Sequence, residues 1–330
     1  MTSDGPNGFD ALCLLSFGGP NGPDDVMPFL RNVTAGRNVP DARLAIVAEQ
    51  YERFGGRSPI NNQNLALINA LRAEFDRCDI DLPIYFGNRN WEPYLTDTIS
   101  TMAADGVRRA LVLTTSAFSS YSGCRQYRED LERAAASAGP DVPELHKLRL
   151  YYNHPGFIDA VAARIEEVHR PGVRVVFSAH SIPNSMAMWC DYESQLREMA
   201  ALLAGRVDAE WDLVYQSRSG PPQMPWLEPD VNDHLRALAD QGVTDITLVP
   251  LGFISDHMEV QFDLDHQAAE TAAQVGIDVR RAATVGTHPA FVTGLRQLVE
   301  EQIVDGPVLC VGDAGPWPDP CPEGHCLAPS

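Results

Sequence analysis

The stretch Val173-Arg174-Val175-Val176-Phe177 decides the fold. It is β-branched and apolar on both faces. A strand covered on both sides belongs to a parallel sheet. Outward from it, similar short runs fall at 12–17, 84–87, 110–115, 145–151, 212–216, 246–250 and 279–284, and its own run reaches 178. Helical patterns separate them at 61–76, 155–169, 191–204, 230–240, 260–274 and 289–303. Within 61–76, Leu65, Ile68, Leu71 and Phe75 are expected on one face, with Arg72 and Glu74 on another. Pro155 and Pro289 suit first-turn positions, where a missing N–H costs nothing. The alternation predicts an α/β fold with mostly parallel, doubly wound sheets flanked by helices.

The chain has 330 residues, enough for one large α/β unit or two ordinary domains. A short echo favours two. Asp105-Gly106-Val107-Arg108-Arg109-Ala110-Leu111-Val112-Leu113 returns 136 residues later as Gln241-Gly242-Val243-Thr244-Asp245-Ile246-Thr247-Leu248-Val249. Each copy is a helix end, a Gly-Val turn and a strand, followed by a polar loop, at 116–123 and 252–257. We therefore expect two similar four-stranded domains, at 1–153 and 154–309, and a Cys-containing tail at 310–330.

The formal charge of −20, from 45 acidic and 25 basic side chains, repels phosphate backbones and anionic membranes. Nucleic acid is thus excluded as a partner. A hydrophobic fraction of 44% excludes wholesale disorder. Met1-Thr2-Ser3-Asp4-Gly5-Pro6 has no basic stretch leading into an apolar run, so no targeting segment is expected. No run of about 18 apolar residues is present to span a bilayer. Seven cysteines, an odd number, suit a reducing cytoplasm, with metal ligation as their special use.

In such sheets ligands bind beyond the carboxyl ends of the strands. Phe177-Ser178-Ala179-His180-Ser181-Ile182-Pro183 puts His180 at such an end. Histidine transfers protons near neutral pH and ligates metals, although it also serves simply to cap a loop. Pro250-Leu251-Gly252-Phe253-Ile254-Ser255-Asp256-His257-Met258-Glu259 follows another apolar strand. There Asp256 suits a helix cap, and Glu259 suits either a first helical turn or a functional carboxylate. His180 and Glu259 together form a facing pair able to bind a divalent ion or accept protons.

These segments, with Tyr215-Gln216-Ser217-Arg218-Ser219-Gly220 and Pro225-Trp226-Leu227 between them, resemble the ferrochelatase signature series in the family's order. Leu14-Leu15-Ser16-Phe17-Gly18-Gly19-Pro20, Gly55-Gly56-Arg57-Ser58-Pro59-Ile60 and Ala117-Phe118-Ser119-Ser120-Tyr121 carry the resemblance into the N-terminal half, so that it spans about residues 10 to 305. It implies two Rossmann-like chelatase domains with a porphyrin-binding cleft, and His180 and Glu259 as the catalytic pair that meets the Fe²⁺ substrate. Metallation removes two pyrrole protons and strips water from the ion, and imidazole and carboxylate suit both tasks. Ser58 and Tyr127 match porphyrin-contacting positions, and Trp226 matches a cleft-lining segment. Their ordinary readings are a turn serine, an exposed helical tyrosine and a core tryptophan.

Asp319-Pro320-Cys321-Pro322-Glu323-Gly324-His325-Cys326 closes the chain. Thiolates at such spacing suit a metal or an iron–sulfur cluster. The resemblance to actinobacterial ferrochelatases implies a [2Fe–2S] cluster held by one internal cysteine and three near the C-terminus. Cys124 matches the internal ligand, and Cys321 and Cys326 match the last two. The remaining position departs from the pattern: Asp319 stands nearest to it, and Cys310 is the other candidate. Two spare thiols in a loose tail is the competing reading. Cys13, Cys78 and Cys190 read as structural.

The same branch implies coproporphyrin III as substrate and iron-coproporphyrin III (coprohaem) as product in haem synthesis, with brief contact with neighbouring pathway enzymes. Four propionates call for cationic partners, and Arg31, Arg37, Arg43, Arg53 and Arg57 gather in the N-terminal segment. Ordinary helix-surface charge is the other reading for most of them. Phe17 stands where some relatives place an iron-approaching tyrosine, so no axial ligand is expected there. Protoporphyrin IX ferrochelatase, a non-catalytic porphyrin carrier and a cobalt or nickel chelatase are the alternatives.

Overall fold

The structure is a computed structural model that describes residues 8–36, 38–221 and 223–328. The chain divides into two compact units. The first holds Met1–Thr115, Tyr127–Leu148 and Val299–Pro307; the second holds Ser116–Gln126, Arg149–Leu298 and Val308–Ser330.

The first unit carries strands β1 (Ala11–Ser16), β2 (Ile84–Asn88), β3 (Arg109–Thr114) and β4 (Glu144–Lys147), and the second β5 (Arg174–His180), β6 (Trp211–Gln216), β7 (Asp245–Val249) and β8 (Asp278–Arg281). The sheet orders are β2-β1-β3-β4 and β6-β5-β7-β8, and every pairing is parallel. The two orders are the same after renumbering, so the echoed segments become β3 and β7, the third strand of each sheet. In each sheet the first strand lies between the second and third. The connections therefore leave in opposite directions and open a crevice at the strand ends.

Of the apolar stretch 173–177, all but Val173 lies in β5, where Val175, Val176 and Phe177 are wholly buried. Val176 joins Val214, Leu235, Leu248 and Leu264 in the core of the second unit. Ala11, Cys13, Ile99, Val112 and Leu131 form the corresponding core in the first. Each such aliphatic burial contributes about 1.5–3 kcal/mol before entropy is counted. Cys13 is structural as expected, and burial pushes its thiol up to about 12.

Helix Pro155–Glu166 starts where Pro155 suggested, with His154 accepting the Gly156 N–H at its N-cap. Helix Ile60–Arg77 departs from expectation in its facing. Leu65 is 48% exposed, while Leu67 is buried with Ile68, Leu71 and Phe75. The buried stripe runs one residue out of step with Leu65. The apolar run at 145–151 leaves the sheet after Lys147, and Leu148, Leu150 and Tyr151 continue as buried coil. Helices Pro23–Val33, Asp41–Arg53, Leu95–Ala104 and Gln126–Ala138 were not among the expected patterns. No helix among the described residues is long and apolar enough to cross a membrane.

Candidate active site

Strand β5 extends two residues past its expected end, so His180 is its last residue, in register with Gln216 of β6. The imidazole Nδ1 donates to the Ser181 carbonyl oxygen. A carbonyl only accepts, so Nδ1 carries a proton, and the tautomer this selects leaves the lone pair at Nε2. Nε2 faces Oε2 of Glu259 at 3.8 Å, and the two side chains are 33% and 50% exposed. That gap is too long for a hydrogen bond. It is shorter than two metal–ligand bonds of about 2.1 Å laid end to end, so one divalent ion can touch both groups.

Glu259 comes from the other side of the crevice, just beyond β7. It lies in the short helix Met258–Val260, whose cap is His257: its Nδ1 accepts the Glu259 N–H at 3.2 Å. Asp256, the sequence candidate for a cap, instead pairs with Arg281 at 2.8 Å. Adjacent Asp256 and His257 thus diverge, one to an ion pair and one to the backbone. His257 stacks edge-on against Phe253, with ring centroids 5.0 Å apart. Burial holds its pKa below the ordinary histidine value, partly offset by the Glu259 charge. It is a neutral positioning group.

Beneath the pair lies Asp263, which sequence reasoning missed. It is placed by a π-helical segment, Gln261–Ala268, that continues from the Glu259 turn. Its carboxylate accepts from the Ser217 hydroxyl and, at 3.4 Å, from Gln216 Nε2. Gln216 is oriented in turn: its Oε1 accepts the Ser178 hydroxyl at 2.8 Å, and its Nε2 also reaches the Glu259 carbonyl at 3.3 Å. Burial, reinforced by the Glu259 charge, raises the Asp263 carboxyl to about 6. The available signal was the four-residue step from Glu259 to Asp263, which puts both on one helix face.

The motif segments after β5 and β6 are stitched together. Pro183 and Trp226 form an antiparallel bridge, the Leu227 N–H donates to the Ile182 carbonyl at 3.0 Å, and the Ser181 hydroxyl donates to the Leu227 carbonyl at 2.8 Å. Trp226 is 9% exposed, and its indole Nε1–H is buried with no acceptor among the described residues.

Ser58 and Tyr127 belong to the first unit, and both are nearly buried at 4% exposure. Ser58 packs on Gly19 so closely that a Cβ there would lie 2.7 Å from its own. Tyr127 is in the core rather than on an exposed helix face, with the Arg89 guanidinium 4.4 Å above its ring. Arg31 is tied to Asp41 at 2.9 Å on the surface, while Arg43, Arg53 and Arg57 are exposed. Arg37 lies outside the described residues. Phe17, just past β1, rests edge-on against Phe29.

The tail is packed. Cys124, Leu150, Trp317 and Cys326 form one buried cluster in the second unit, and Cys190 and Cys321 pack against it. Cys124 is carried by the π-turn Tyr121–Arg125, where Gly123 leaves room: a Cβ there would lie 2.7 Å from the Ser116 hydroxyl. Cys190, read as structural from sequence, thus stands with the thiols expected to bind iron. Cys310 is not among them. Its neighbour Val311 is tied to the Asn153 carbonyl at 2.9 Å. Among the described residues, no three Cys, His, Asp or Glu side chains close around a single metal ion.

A ferrochelatase family model matches residues 9–303. The coproporphyrin III ferrochelatase of Frankia alni is 54% identical, with 100% of this chain and 89% of that protein covered. That of Mycolicibacterium smegmatis is 52% identical, with 95% and 94% covered. The ferrochelatase of Rhodopirellula baltica is 51% identical, with 97% and 93% covered. Among solved structures, SirB from Bacillus subtilis with Fe³⁺ superposes with a TM-score of 0.58 at 15% identity, covering 89% of this chain and 96% of that one. That likeness shows the fold alone. The strand-end pair, the signature segments and these relatives together establish that the chain belongs to the ferrochelatase family.

Proposed function

We propose that this protein inserts ferrous iron into coproporphyrin III to give coprohaem. The observation that carries the proposal is the His180–Glu259 pair, with the imidazole Nε2 3.8 Å from a carboxylate oxygen. The substrate identity rests on the relatives, several of which are named coproporphyrin III ferrochelatases at about half identity over almost the whole chain.

The chemistry balances with this chain's own groups. Fe²⁺ enters the macrocycle and two pyrrole protons leave. Two protein ligands are too few to trap an ion permanently, which suits a substrate ion that must be released to the macrocycle nitrogens. As the ion departs, His180 Nε2 takes one proton and the Glu259 carboxylate is placed to take the second. Asp263, poised near pH 6, receives protons from this pair and passes them toward solvent. The Trp226 segment, bridged to Pro183, lines the porphyrin site in this reading.

We also propose that the tail carries a [2Fe–2S] cluster. A two-iron cluster needs thiolates in two pairs rather than around one point, and an apolar pocket lined by thiols fits that donor set. Cys124, Cys321 and Cys326 would hold it, and when bound it would crosslink the π-turn to the tail.

The test is anaerobic Fe²⁺ insertion into coproporphyrin III and protoporphyrin IX in parallel, with His180→Ala as control. Preferential coprohaem formation that is lost in the variant supports the reaction, the substrate and the base together. Preference for protoporphyrin overturns the substrate. Tight porphyrin binding without turnover of either overturns the activity in favour of a carrier.

A further inference from the structure

The tail is fastened to the second unit at several points. Asn153 Nδ2 donates to the Gly315 carbonyl at 2.7 Å, the Ala314 N–H to Glu198 at 3.1 Å, and Arg125 to the His325 carbonyl at 3.3 Å. The last tie matters most: the Cys326 N–H donates to the carbonyl of Trp189 at 2.7 Å, one residue before Cys190. This bond brings the tail thiol to the turn that follows helix Asn184–Ala187. From the other side Cys124 enters the same pocket.

We propose that Cys190 is the fourth thiolate of the iron–sulfur site, in place of the terminal ligand that this chain lacks. The inference rests on the cluster reading above and names the residue that completes it. Three separated stretches of chain supply the set: Cys124 from the π-turn, Cys190 from the turn after a short helix, and Cys321 and Cys326 from the tail. Two internal and two terminal cysteines replace one and three.

The thiols feel one another. Cys326 and Cys124 are hydrogen-bonded to one another, and Cys190 and Cys321 pack against the same cluster. Cys310 is not packed in this cluster. Cys310 lies instead beside Tyr152, whose hydroxyl it helps to raise along with burial and Glu198.

The experiment is anaerobic reconstitution of the full chain with iron and sulfide, read by bound iron, acid-labile sulfide, visible circular dichroism and the electron paramagnetic resonance of the reduced protein. Cys190→Ala and Cys124→Ser are expected to lose cluster by at least about tenfold, while Cys310→Ser and Asp319→Asn retain it. A serine at position 190 that keeps iron but shifts the dichroism supports ligation as well. A second readout uses the unaltered protein. Alkylation and mass mapping should find Cys124, Cys190, Cys321 and Cys326 protected in the loaded form and Cys310 labelled equally with and without iron. A fully loaded Cys190→Ala protein, or Cys190 labelled as readily in the loaded protein as in the empty one, overturns the assignment of Cys190 and leaves the cluster standing. A wild-type chain that takes up no iron with sulfide overturns the cluster itself.

Discussion

The lone pair of His180 points at Glu259 because the Ser181 carbonyl has claimed the proton on the opposite ring nitrogen. This single hydrogen bond selects the tautomer the chemistry needs. We expect His180→Ala to lower kcat by about 10²–10⁴-fold, the usual range for loss of a general base. Glu259→Gln should fall similarly while leaving porphyrin quenching titrations nearly unchanged. A variant that lost binding but not the turnover of saturated enzyme would assign these residues to the wrong step.

Asp263 binds a proton more tightly in the folded chain, up to about pH 6, than in the unfolded chain. Protonation therefore favours folding. This contribution is full below the unfolded carboxyl range near pH 4 and fades as pH rises through about 6. Above that the charged, part-buried carboxylate costs about 1–3 kcal/mol. Asp263→Asn should remove the cost, so urea denaturation at pH 7.5 should show a more stable protein with a flatter profile between pH 4 and 6. The same variant should slow metallation. Identical pH profiles for variant and wild type would sink the assignment.

Arg281 holds two carboxylates, Asp256 at 2.8 Å and Asp265 in a closer pair, and is only 20% exposed. Arg281→Met leaves both carboxylates part-buried without their cation. Denaturation should show a loss of about 2–4 kcal/mol, and adding Asp256→Asn should recover part of it. Because Asp256 adjoins His257, the cap on Glu259, kcat should fall in the same variant. Full activity in a destabilised protein would separate the loop from the site.

In the first unit, Arg89 is 4% exposed, stacked over Tyr127 and paired with Asp130. Only a flat guanidinium meets both demands. Arg89→Lys should cost about 1–3 kcal/mol in thermal denaturation, whereas Tyr127→Phe keeps the ring face and should cost little. If Tyr127→Phe proves the more damaging change, the hydroxyl and not the ring face is what the structure uses.

All eight strands were legible: the inner strands β1, β3, β5 and β7 are buried on both faces and leave unbroken apolar runs, while β4 and β8 lie at edges, are only partly covered and borrow their apolar signal from the residues that follow them. Where such runs misled, burial was the reason. Leu148, Leu150 and Tyr151 are as buried as any strand residue yet lie in coil, since sequence reports covering and not hydrogen bonding. Leu65 misled because the buried stripe runs through its neighbour Asn64, a polar residue that an apolar pattern assigns to solvent. That His180 and Glu259 stand at strand ends was legible, and the structure sets them 3.8 Å apart. The contacts of Asp263 and Cys190 were not legible. The role of Asp263 comes from partners 46 and 47 residues away, Ser217 and Gln216. Cys190 meets the tail only after the whole second unit has folded, and no local spacing announces that meeting.

The π-helical segment Gln261–Ala268 acts as a phase shifter. Upstream of it Glu259 faces the strand ends, while Ala268 at its end and Ala272 downstream are sealed in the core. A wide turn absorbs one extra residue, so both faces keep the registers they need. Deleting a single residue from this segment would swing everything beyond it by about 100°. Chemistry and packing are therefore geared together along one helix: its length is as tightly set as its side chains, and no indel there can touch one function without turning the other.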